Sequence, residues 1–168
     1  MQSRTLPFDP IAEAHRQWVA HDWAAAAPGM AAITSIMRVH QIFIARVDEV
    51  LRPFGLTFAR YETLMLLRFS RRGSLPLGKL GERLQVHAAS VTNAVDRLEA
   101  DGLVRRVPNP DDGRGTLAEI TPKGKALVLR ATRQLNKRVF VSVGLGEAKL
   151  VELFQLLANV RRGAGDFR

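Results

Sequence analysis

The stretch Leu75 to Thr121, LPLGKLGERLQVHAASVTNAVDRLEADGLVRRVPNPDDGRGTLAEIT, leaves the chain few folds to choose from. Leu77, Leu80 and Leu84 recur at three and four, the inward face of a helix over 76–84. Past 85–87, Val91, Val95 and Leu98 recur at four and three over 88–101, and Gly102 suits a left-handed helix stop. Residues 103–107 and 117–120 read as short strands. Between them lies Pro108-Asn109-Pro110-Asp111-Asp112-Gly113, a run of turn formers in which Asp112-Gly113 is a hairpin signal.

Two short helices followed by a hairpin make a winged helix-turn-helix. The fold expected is mainly α with a small β-wing, one domain over 1–168. Its parts are N-terminal helices over 9–52, the reading lobe over 56–121 and C-terminal helices over 122–162. Asp9-Pro10 starts the first helix by the cap-then-proline rule, and Pro28-Gly29 is expected to break it. The next helix, 30–51, is apolar along its length at Ile33, Ile36, Met37, Phe43, Ile44, Val47 and Val50. A helix so long and apolar calls for a large partner surface, either a second copy of the chain or a buried central position. Thr121-Pro122 starts a helix expected to reach residue 142, Glu147–Arg162 is the last helix, and residues 163–168 are expected to fray.

Charge narrows the partner. The net formal charge is +9, which favours a polyanion. Residues 1–59 are neutral, 60–120 carry +2 and 121–168 carry +7, so placement has to make the case that net charge does not. The chain has no Cys, which excludes disulfides and thiolate metal sites. The four His are widely spaced, so no metal site and no cofactor are expected. No run approaches about 18 apolar residues, so no membrane span is expected and the compartment is the cytoplasm. No phosphate loop, nucleophile triad or carboxylate pair stands out, so an enzyme is not expected.

A helix fits the major groove of duplex DNA, and the second helix of the motif carries the right residue types outward. Ser90, Thr92 and Asn93 are short hydrogen-bonders, and Arg97 can fork onto a guanine edge or a phosphate. Arg105 and Arg106 stand on the first wing strand and Arg114 just past the tip, where an Arg suits the minor groove.

These residues resemble the multiple-antibiotic-resistance-regulator (MarR) family of bacterial transcription regulators. The likeness is carried by Asp112-x-Arg114 with Ile120-Thr121-Pro122-x-Gly124, and by Val95-Asp96-Arg97-Leu98-Glu99 with Gly102-Leu103-Val104, and it covers roughly residues 30–162. The resemblance implies a homodimer built by the terminal helices, set on a pseudo-palindromic operator. It also implies DNA contacts at Ser90, Thr92, Asn93, Arg97, Arg106 and Arg114, a wing steadied by Asp112, and release by a small anionic or aromatic effector. His87 departs from the pattern, since Asp or Ser often caps the recognition helix and imidazole caps poorly.

The effector pocket implied by the family falls between the dimer helices and the reading lobe, with Trp18, His40, Phe43, Arg60, Tyr61 and Glu62 as its candidates. Glu62 stands at the acidic pocket position of the urate-responsive branch, which also carries an N-terminal helix with a Trp. Two readings stand for Trp18 and His40: pocket residues, or plain packing. The function expected is a sequence-specific regulator, a repressor released by its small-molecule effector. The alternative is a basic, sequence-indifferent protein that coats DNA.

Overall fold

The computed structural model describes residues 6–110 and 115–168. The chain divides into two compact units, 1–59 and 60–168.

The first unit holds α1 (Pro10–Ala20) and α2 (Ala27–Leu51). Asp9 accepts the Ile11 amide at 2.9 Å and so caps α1. The break between the two helices comes earlier than proline placement suggests. It lies at His21–Ala26, where Asp22 takes φ +65°, and Pro28 sits inside the first turn of α2. A proline there forfeits no hydrogen bond, because a first-turn amide has no partner within the helix. One turn of 3-10 helix, Arg52–Phe54, closes α2, and Gly55 (φ +66°) ends that turn in the left-handed region.

The second unit carries most of α3 (Phe58–Phe69), then β1 (Ser74–Pro76), α4 (Leu77–Leu84) and α5 (Ala88–Ala100). The wing strands β2 (Val104–Pro108) and β3 (Thr116–Ile120) follow, then α6 (Pro122–Leu135) and α7 (Glu147–Gly163). The fold is mainly helical with a small antiparallel sheet, a winged helix-turn-helix between flanking helices. The sheet has three strands rather than two. β1 pairs with β3 through Leu75 and Ala118, giving the order β1-β3-β2. A three-residue strand ending in proline carries no alternation from which to read it, and an edge position is where proline is tolerated. Leu64, Leu67, Leu80, Val95, Leu98 and Val104 are buried in the core of this unit.

The wing is tied to its neighbours at Thr121. Its amide donates to the Leu103 carbonyl at 3.0 Å. Its hydroxyl lies 2.9 Å from the Gly102 carbonyl and accepts the Gly124 amide at 3.0 Å, capping α6. Position 124 is buried and takes glycine because a Cβ would fall on the Leu103 carbonyl oxygen. α6 gives way after Leu135 to a single π-helical turn, Asn136–Phe140, which buries Val139. The last residues do not fray as expected. Asp166 pairs with Arg161 at 3.4 Å, its carbonyl accepts from Gln85 Nε2 at 3.0 Å, and Phe167 lies under the Arg161 and Arg162 guanidiniums.

Candidate nucleic-acid interface

The outer face of α5 is built by what its inner face buries. With Val91, Val95 and Leu98 inside, the three-and-four spacing leaves Ser90, Asn93 and Arg97 exposed on one side, with Thr92 exposed beside them. The Thr92 hydroxyl donates back to the Ala88 carbonyl at 3.1 Å, which leaves its oxygen to accept. Arg97 makes no ion pair among the described residues, so its five donors are uncommitted.

His87 fills the cap that its residue type made doubtful. Its Nδ1 accepts the Ala89 amide at 3.2 Å, which puts the proton of a neutral ring on Nε2. The preceding residue that turns the chain, Gln85, adopts φ +55°.

Arg105 and Arg106 are committed elsewhere. Arg105 pairs across the sheet with Glu119 at 2.9 Å, although its side chain is largely exposed. Arg106 turns the other way and binds both Asp96 and Glu99 of α5. Glu99 also accepts the Arg106 backbone amide at 2.8 Å, so one carboxylate holds the strand twice. The hydrogen bond to Asp96, chiefly, raises the Arg106 pKa further above its ordinary value. Arg106 thus sits as a brace between wing and recognition helix. Strand alternation carries the signal for this: Val104 is buried, so Arg106, two residues on, shares its face. Glu99 is the residue that motif reading left without a role, whereas Thr121 caps α6 as its place before Pro122 predicts. Asp112 and Arg114 lie outside the described residues.

The six expected effector residues divide between the two units. In the first, Trp18 packs edge-on against Trp23 with ring centroids 5.2 Å apart, His40 is exposed, and the Arg46 guanidinium lies 5.9 Å from the Phe43 ring. In the second, Arg60 pairs with Asp101 at 3.7 Å, and the Tyr61 hydroxyl meets Thr132 Oγ1 at 3.1 Å. Burial raises the Glu62 carboxyl above its usual range. Trp18, Phe43, Arg60 and Tyr61 thus each have a contact within their own unit. Among the described residues, no cluster of ligating side chains could hold a metal ion, and no helix is long and apolar enough to cross a membrane.

Comparison with known proteins bears on this arrangement. The MarR family model matches residues 56–116, from the start of α3 into β3. The HTH-type transcriptional repressor IacR of Pseudomonas putida is 30% identical over 128 residues, 74% of each chain. The chain spans 58% of the length of another curated relative that it matches. Among solved structures, Sco5413, a MarR family transcriptional regulator from Streptomyces coelicolor, is 54% identical with a TM-score of 0.76 and covers 83% of this chain and 97% of its own. Sco3205 from the same organism, a MarR family regulator solved in complex with DNA, is 25% identical with a TM-score of 0.70, covering 79% of this chain and 84% of its own. The family model spans the recognition helix and β2, and the identity to Sco5413 extends over most of the chain: this chain belongs to the MarR family of transcriptional regulators.

Proposed function

We propose that the protein is a dimeric, sequence-specific regulator that reads a pseudo-palindromic operator with α5. The observation that carries this is the exposed set Ser90, Asn93 and Arg97 on one helical face, with Arg97 free of ion pairs among the described residues. Ser90, Thr92, Asn93 and Arg97 face base edges and nearby phosphates in this reading. Arg105 faces the backbone, and Arg114 enters the minor groove from a wing steadied by Asp112. Arg106 acts by bracing α5 rather than by touching DNA. The solved DNA complex of Sco3205 supports the mode of binding.

Two chains give two reading heads, which have to stand about 34–36 Å apart to meet successive turns of one duplex face. Exposed apolar residues on α2 (Ile33, Ile36, Met37) and α7 (Phe154, Val160) support pairing through the terminal helices. The name of IacR supports repression as the output here. Release follows when a small anionic or aromatic effector binds better to a conformer with wrongly spaced heads. A nearly complete swing needs a differential affinity of about 5.5 kcal/mol per dimer. The protein acts in the cytoplasm.

The test is binding, at one salt concentration, to a duplex selected by the protein from a random pool and to unselected duplex. A regulator discriminates by at least about 10³. Arg97→Ala should lower that ratio as well as the affinity. Equal binding to both duplexes, or an Arg97→Ala loss that is uniform over sequences, would sink base reading and leave a sequence-indifferent coating protein.

A further inference from the structure

We infer that the groove on the outward face of the wing sheet is a second phosphodiester site, which holds the DNA strand on the far side of the wing from α5. It rests on the DNA-reading assignment above. The groove encloses about 680 Å³ between the exit of α3, β1, the end of α4 and the wing.

Pairing in the sheet fixes which way the groove looks. Residues directly opposite each other share a face, so Arg106 and Ala118 lie on one side and Val107 and Leu117 on the other. Arg106 reaches α5, so Leu117, which lines the groove, faces away from the recognition helix.

Charge fixes what the groove takes. Arg71, Arg72 and Arg83 line it, all exposed, with Asn109 at the base of the wing. No carboxylate is among the described residues that line it. Arg71 and Arg83 make no ion pair among the described residues, whereas Arg105 and Arg106 are already matched by Glu119, Asp96 and Glu99. Among the described residues, Arg71 and Arg83 are therefore uncompensated cations beside β2 and β3, as Arg97 is on α5. Pro76 and Leu117, opposite each other in the sheet, supply an apolar floor suited to deoxyribose.

The duplex supplies the matching geometry. A minor groove about 6 Å wide is walled by two backbones, and a wing tip entering it has one on each side. The inner strand runs beside α5 and the outer one past this groove. A small organic anion is the weaker fit, because specific pockets bury roughly 70–90% of such a ligand and these guanidiniums stand in solvent. A backbone needs no enclosure, and its contacts position the protein without specifying sequence.

The experiment compares full-length wild type, Arg71→Gln, Arg83→Gln and the double variant on selected and unselected duplex between 50 and 200 mM salt. Each substitution removes two contacts from the dimer and should reduce the slope of log affinity against log salt by about 1.8, so that the loss across that fourfold range shrinks by about 12-fold. The preference for the selected duplex should stay unchanged. Hydroxyl-radical protection of the strand outside the wing should disappear in the double variant. Lys149→Gln on α7 removes the same charge elsewhere and should alter neither readout. Wild-type slopes in both variants, or an equal change in Lys149→Gln, overturn the proposal. So does thermal stabilisation by benzoate that the double variant loses while its slope stays wild type, which would make this a small-anion site. Failure of the wild type to prefer any selected duplex would instead sink the reading on which the groove depends.

Discussion

At the scale of single residues, Gly124 shows how a sequence motif becomes a physical requirement. The Ile120-Thr121-Pro122-x-Gly124 pattern needs glycine because the backbone of α6 passes directly against the Leu103 carbonyl. A methyl group there has to push backbone, not the end of a flexible side chain. Gly124→Ala should therefore cost about 1–3 kcal/mol, the range for forcing atoms into a packed site, read as a lower urea midpoint. Gly29→Ala is the control. It lies in the first turn of α2 with nothing within 4 Å of the added Cβ, and should stabilise by about 0.4–1 kcal/mol. The motif was legible in the sequence; its reason was not, since the carbonyl that forbids a side chain lies 21 residues earlier and only the folded wing brings it close.

At the scale of elements, the brace from β2 to α5 sets the attitude of the recognition helix. Arg106→Gln leaves Asp96 and Glu99 as neighbouring like charges on one helix and frees the strand side chain. The three groups are partly solvated, so the expected loss is no more than about 1 kcal/mol. A double-mutant cycle with Glu99→Gln should show coupling of about 0.5 kcal/mol or more by denaturant unfolding. DNA affinity should fall with the salt slope intact; a slope reduced by about two, one per subunit, would return Arg106 to the phosphate-contacting set. Elements with a period were readable: α2, α4, α5 and both wing strands fall within a few residues of where their apolar spacing puts them. The misses are the ones without a period. β1 is too short to alternate, Pro28 marks a helix start as readily as a stop, and the π-helical turn after Leu135 leaves no mark in the apolar spacing. Arg106 shows the converse case, a side chain whose direction the alternation of β2 already contained.

At the scale of the whole molecule, charge and apolar surface divide the labour. The largest positive excess lies in 121–168, outside the recognition helix in sequence, so net charge measures general attraction to polyanions and says little about reading. The apolar excess sits on the terminal helices: Ile36 on α2 is 45% exposed and Phe154 on α7 is 64% exposed, enough that polar replacements need not disturb the folded subunit. Ile36→Asp with Phe154→Asp should yield a monomer by light scattering, with the helical circular dichroism signal retained. Operator affinity should then drop by about a hundredfold or more, as two linked heads become one. A dimer surviving both changes would move the pairing surface elsewhere. The knot at Thr121 has a mechanical consequence at this scale. One hydroxyl joins the end of the recognition helix to the start of α6, so those two pieces travel as a single lever arm. A signal that swings the reading head has to flex the chain downstream of that joint, and the wide turn at Asn136–Phe140 is the first place where the α-helical ladder loosens.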